Sequence, residues 1–199
     1  MTKTDEWKKR VDDWKAVLNQ PKNLGLKAGG TGISEAVRKV AGAEMEFQKA
    51  KDPAKGHVVP RLADLLKALD ELASLCKKTI DKNKAFTTAC KHLEDLHQAA
   101  AHRRTEASHE VDEIRKAVGA RCATALEHLK GAHTMQEFGA AWHAFVEDFE
   151  AHGQGFPTLQ AHIAKVKEQH APDPGGTLSL VRPAYLKLVQ NCQNATAVR

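Results

Sequence analysis

The residues best suited to chemistry in this 199-residue chain are its eleven histidines, six of which lie between residues 92 and 133. Two of the six follow a glutamate by three positions, in Glu94-Asp-Leu-His97 and Glu106-Ala-Ser-His109. Residues at i and i+3 share a helix face, and iron-carboxylate bundles use Glu-x-x-His for that reason. Such bundles take the two pairs from facing helices, whereas these two lie close together in one predicted helical region. We therefore predict no metal site and no cofactor.

A second candidate for chemistry is an arginine followed closely by a histidine. The segment Arg104-Thr-Glu-Ala-Ser-His109 resembles the R-x4–6-H motif of HEPN-type helical ribonucleases, and Arg103 with His109 and Arg121 with His128 have permitted spacings as well. The resemblance implies cleavage of an RNA phosphodiester by an arginine and a histidine acting together. It covers six to eight residues and no more of the chain. A nucleic-acid-acting helical protein, a HEPN-like ribonuclease, is therefore the alternative function.

The charge of the chain does not favour nucleic acid. Thirty Lys and Arg residues stand against 25 Asp and Glu residues, for a net charge of +5. The excess is spread along the sequence, whereas affinity for phosphates needs many cations on one surface. The basic stretches are interpreted as solvated helix faces.

Four glycines fall within ten residues, between Asn23 and Gly32. Glycine at this density predicts a loop or tight turn between two helices. The first glycine spacing fits a phosphate-binding loop, but Thr31-Gly32 stands where that motif requires Lys followed by Ser or Thr. We interpret the segment as an interhelix loop without a ligand.

The four cysteines are far apart in the sequence and form no C-x-x-C pair; they are Cys76, Cys90, Cys122 and Cys192. Each falls where its predicted helix needs an apolar residue. This pattern favours buried free thiols, which are typical of a reducing cytoplasm.

Apolar periodicity predicts helices throughout the chain and no strand. Between Pro60 and Gly119 there is neither Gly nor Pro, and the composition is strongly helical. Large apolar residues disappear between Leu96 and Val111, so two readings stay open for residues 83–131. One helix is favoured because nothing there breaks it, and a turn near Thr105 is the alternative. The predicted fold is an all-α, elongated bundle of six to eight helices around a long central helix or helical hairpin.

The first helix carries Trp7, Val11, Trp14 and Leu18 on one face, because they recur at i, i+4, i+7 and i+11. That face must be buried, either on the bundle of the chain itself or in the groove of a partner. We name it as the possible partner-binding face.

These patterns predict a non-enzymatic interaction, adaptor or structural protein that acts through apolar helix faces. We expect residues 1–52 to form a helical pair joined by the Gly-rich loop, 57–170 the main bundle, and 171–199 a loop with a short helix packed on it. The expected partner is a protein or a second copy of the chain. With no apolar run long enough for a membrane span and no signal-peptide core, a cytoplasmic location is expected.

Overall fold

The computed structural model describes residues 2–52 and 57–197. Across these residues it contains seven α-helices and no strand, which confirms the all-α bundle and the predicted number of helices. The helices are α1 (Lys3–Leu18), α2 (Lys27–Ala50), α3 (Val58–Lys82), α4 (Thr87–Gly131), α5 (Met135–Gly153), α6 (Gln160–Glu168) and α7 (Leu178–Ala197). None of the helices in the described part of the chain combines the length and apolarity needed to cross a membrane.

The chain divides into two compact units, and α2, α3 and α4 each contribute residues to both. Unit 1 consists of Met1–Lys49 and Pro60–His109. Unit 2 consists of Ala50–Val59 and Glu110–Arg199.

Residues 87–131 form one helix, α4, and of the two open readings the continuous helix is therefore the observed one. Its 45 residues correspond to about 67 Å at 1.5 Å per residue. Where large apolar residues are missing, Ala100 and Ala107 are 1% and 0% exposed, so small side chains maintain the buried stripe. The helix begins later than predicted, because residues 83–86 form the turn after α3.

The prediction of a loop in the glycine-rich segment is wrong. Pro21–Leu26 is a 3-10 helix, and α2 begins directly after it at Lys27. The reason is close packing: a Cβ built on Gly30 would collide with the side chain of Leu18 in α1. The Trp14 indole nitrogen also donates a hydrogen bond to the Gly30 carbonyl oxygen at 3.1 Å. Glycine here lets α1 approach the first turns of α2.

The core of unit 2 is built on the aromatic residues of α5. Phe138, Trp142, Phe145 and Phe149 are all buried, and Trp142 meets Tyr185 of α7 edge to face with the ring centres 4.7 Å apart. The Tyr185 hydroxyl donates to the His170 carbonyl oxygen at 2.7 Å. These contacts dock α7, which begins at Leu178.

Candidate functional site

Unit 1 carries an open groove, lined by one residue of α2 and one face of α3, which we call the α2–α3 groove. Its large apolar lining residues are Leu66, which is half-buried, and Leu75, which is 37% exposed. Ala63, exposed, adds a small apolar surface at the start of the groove. Leu75 is one of three large apolar side chains in the described residues that the fold leaves exposed.

The charged residues that line the α2–α3 groove are three lysines, Lys39, Lys67 and Lys78, and two acids, Asp70 and Glu71. Both acids are engaged: Glu71 lies 3.5 Å from Lys39, and Asp70 accepts from Arg104 of α4 at 3.0 Å. Lys67 and Lys78 form no ion pair with any residue that the structure describes. The groove therefore presents an apolar surface beside two uncompensated positive charges.

The predicted partner-binding face of α1 lies inside unit 1. Trp7, Val11, Trp14 and Leu18 are 3%, 6%, 1% and 8% exposed. In this conformation the face covers the core of the unit and is not accessible to a partner.

The core of unit 1 contains an ion pair that was not predicted from the sequence. The Arg103 guanidinium of α4 donates to both carboxylate oxygens of Glu44 of α2, through Nε and one terminal nitrogen, each at 2.8 Å. The side chains are 4% and 0% exposed. Gln48 donates to the same carboxylate at 2.7 Å, and the guanidinium lies 5.7 Å from the centre of the Phe47 ring. A fork-shaped pair with this burial is a structural element of the core.

The sequence did contain a signal for this pair. Glu44 continues the apolar stripe of α2, four residues after Val40 and three before Phe47. Arg103 lies three residues after Ala100 and four residues before Ala107. Charges of opposite sign in the apolar stripes of two helices predict a buried pair where those stripes meet.

The histidine and arginine residues singled out for RNA chemistry diverge on α4. Arg103 is held by Glu44 and Arg104 by Asp70, while His109 is exposed. At 100° per residue, Arg104 and His109 are about 140° apart around the helix axis.

The other Arg-His pair of α4 lies in unit 2. Arg121 and His128 share a helix face, but two turns, about 10 Å of axial rise, separate them. Arg121 donates instead to Asp148 of α5 at 2.7 Å. Within the described residues, therefore, neither Arg104 nor Arg121 donates to the histidine of its own motif.

The Glu-x-x-His pairs do not form a ligand set either. Glu106 accepts a hydrogen bond from Lys3 at 2.5 Å, and this bond is the main reason that the pKa of its carboxyl is lowered. His97 lies 3.2 Å from the Ala73 carbonyl oxygen through Nδ1. In residues 2–52 and 57–197 no three His, Cys, Asp or Glu side chains are grouped so that they could hold a metal ion.

The four cysteines are free and buried. Burial raises the pKa of Cys76, Cys122 and Cys192 to about 12 each. Burial, and secondarily Glu94, raises the pKa of Cys90, whose thiol donates to the Asn83 carbonyl oxygen at 3.2 Å. The thiolate is the reactive form, so these environments suppress nucleophilic chemistry.

A cavity of about 230 Å³ lies in unit 2, where the last turn of α2, the first turn of α3, the middle of α4 and the turn after α5 meet. Its larger apolar lining residues are Val58, Ile114, Val118 and Phe156. Lysine, arginine and histidine side chains line it as well, and none of the described carboxylates does. No local sequence pattern predicts this cavity, because four separate segments of the chain build it.

Comparison with protein families, curated sequences and solved structures finds no match for this chain.

Proposed function

We propose that the chain is a non-enzymatic interaction protein whose α2–α3 groove binds an amphipathic helix with acidic residues beside its apolar face. The observation that carries the proposal is the apolar surface of half-buried Leu66 and exposed Leu75 in the α2–α3 groove, which Lys67 and Lys78 also line. An apolar helix face binds such a surface by burying its own apolar side chains. Acidic residues flanking that face would meet the two uncompensated lysines.

The length of the groove suits a helix of ordinary length. From Ala63 to Lys78 the groove extends over about 22 Å along α3, which equals about four turns of a bound helix. The acids of the groove do not oppose an acidic partner strongly, because Glu71 is paired with Lys39 and Asp70 with Arg104.

The experiment uses two synthetic helical peptides of about 18 residues with the same leucine face, one flanked by Glu and the other by Lys. Titration into the full chain is followed by fluorescence anisotropy. We expect saturable binding of the Glu-flanked peptide, weakening with salt, and at least about tenfold weaker binding of the Lys-flanked one. Equal binding of both peptides, or of neither, refutes the proposal.

Two single substitutions localise the binding. Leu75→Glu places a negative charge in the groove and should abolish binding of the Glu-flanked peptide. Leu180→Glu is the matched control, because Leu180 is 78% exposed on α7 and does not line the groove. If both variants bind as the unaltered chain does, the partner uses another surface.

The other predicted partners are outcomes of the same test. Light scattering on a size-exclusion column measures the mass of the chain alone. A defined oligomer that Leu75→Glu dissociates would overturn the proposal and assign the groove to a second copy. Salt-sensitive retention on RNA that is lost on combining Lys67→Glu with Lys78→Glu would overturn it in favour of nucleic acid.

A further inference from the structure

We propose that the cavity of unit 2 is a binding site for a small monocarboxylate with an apolar body, such as a medium-chain fatty acid. The cavity volume of about 230 Å³ exceeds the roughly 150 Å³ of an engineered apolar cavity that binds benzene. It is therefore large enough for a short hydrocarbon chain and too small for a drug-sized ligand.

The walls of the cavity favour an apolar body. Val58 and Phe156 are 2% and 1% exposed, and Val118 is 2% exposed, so these side chains are fixed by the surrounding core. Ala117 lines the cavity and is exposed to solvent, which places it at the mouth. A ligand can therefore enter beside α4 without unfolding of the unit.

The charges around the cavity favour an anionic head group. The charged side chains among its lining residues are Lys51 and Arg121, and both are cations. Their acidic partners, Glu110 and Asp148, lie within 2.8 Å and 2.7 Å of them but do not line the cavity. A ligand head group would therefore meet the cations on their cavity side.

The guanidinium of Arg121 is held in place for this role. Asp148 accepts from one terminal nitrogen of Arg121 and lies 3.3 Å from Nδ1 of His152, which also lines the cavity. The remaining donors of Arg121 form no hydrogen bond with a described residue. Because Glu110 and Asp148 already offset part of the positive charge, a singly charged carboxylate suits the site better than a doubly charged phosphate.

The probe is hexanoate, with 1-hexanol and hexylamine as ligands of the same chain length and different head group. Each is titrated into the full-length protein, and binding is read from the methyl resonances of Ile114 and Val118 by NMR. We expect saturable shifts with hexanoate, at least about tenfold weaker binding of hexanol, and none of hexylamine. Absence of shifts with hexanoate at millimolar concentration, or equal binding of hexanol, overturns the proposal.

Two pairs of variants locate the site. Ala117→Phe should block the mouth and abolish the shifts, whereas Ala120→Phe, at another exposed position of α4 outside the cavity, should not. Arg121→Gln should weaken hexanoate binding at least about tenfold. Arg104→Gln is its control, since Arg104 is also a half-exposed arginine paired with an aspartate. Binding that is equally sensitive to Arg104→Gln, or unaffected by Ala117→Phe, contradicts the proposed site.

Discussion

The buried pair between Glu44 and Arg103 makes the sharpest prediction about the stability of unit 1. Glu44→Ala leaves the guanidinium of Arg103 in the core, where it is 3% exposed and has lost its fork-shaped pairing with a carboxylate. Removing one member of a buried pair costs about 3–5 kcal/mol, because the other charge stays desolvated. With a urea dependence of about 1.5 kcal/mol per M, the unfolding midpoint should fall by about 2–3 M.

The assay must report on unit 1 alone. Trp7 and Trp14 lie in unit 1, and the third tryptophan of the chain, Trp142, lies in unit 2. Urea unfolding followed by tryptophan fluorescence in a Trp142→Phe background therefore reads the unfolding of unit 1. Glu44→Ala is then compared with the same chain without that substitution.

The control is the exposed pair on the same unit. Asp70→Ala removes the partner of Arg104, and the two side chains are 57% and 53% exposed. An exposed pair contributes about 0–1 kcal/mol, so this variant should unfold near the original midpoint. If Glu44→Ala costs no more than Asp70→Ala, losing one partner of the buried pair costs no more than losing one partner of an exposed pair, which contradicts the prediction. Combining Glu44→Met with Arg103→Met should cost less than either single change, since neither charge is then left unpaired.

Three further predictions concern packing and thiols. Gly30→Ala should destabilise unit 1 by about 1–3 kcal/mol, because the added methyl group would clash with Leu18. Gly42→Ala in the same helix should stabilise the unit slightly, since a methyl group there would have no other side chain within 4 Å. The urea midpoints of the two variants test this difference. In the folded chain Cys90, 8% exposed, should react first with a thiol reagent at pH 8, and mass spectrometry of the labelled peptides identifies the order. Burial raises the pKa of the Cys122 thiol from 9.0 to about 12. The protonated thiol therefore contributes its full stability below pH 9, and this contribution declines as the pH rises towards 12, by up to about 1.4 kcal/mol per pH unit. Cys122→Ala should reduce that decline in the free energy of unfolding measured between pH 8.5 and 10.

Much of the fold follows from periodicity. The helices that end at Leu18, Ala50 and Gly131 end at or shortly before proline, aspartate or glycine residues in the sequence. The continuity of α4 was predicted because no residue in that segment breaks a helix. Such signals are local, and a single helix expresses them without reference to its neighbours.

The features of the fold that were not predicted from the sequence depend on contacts between helices. Glycines at 25–32 were interpreted as a loop because glycine disfavours helix, yet the close approach of Leu18 to Gly30 requires a residue without a side chain. The leucines of α3 recur at helical spacing, but which of them are covered depends on where α2 and α4 lie. Leu65 and Leu72 are 0% exposed, whereas Leu75 is left in the groove. The cavity of unit 2 follows from no local pattern at all.

Two neighbouring arginines of α4 connect it to α2 and α3 in unit 1. Arg103 binds Glu44 of α2, and the next residue, Arg104, binds Asp70 of α3. Sliding α4 along α2 by one turn, about 5.4 Å, would leave Glu44 facing the alanine stripe and both buried charges unpaired. An alanine stripe alone would tolerate that slip, because small side chains differ little from turn to turn. We infer that the buried pair sets the position of α4 against α2.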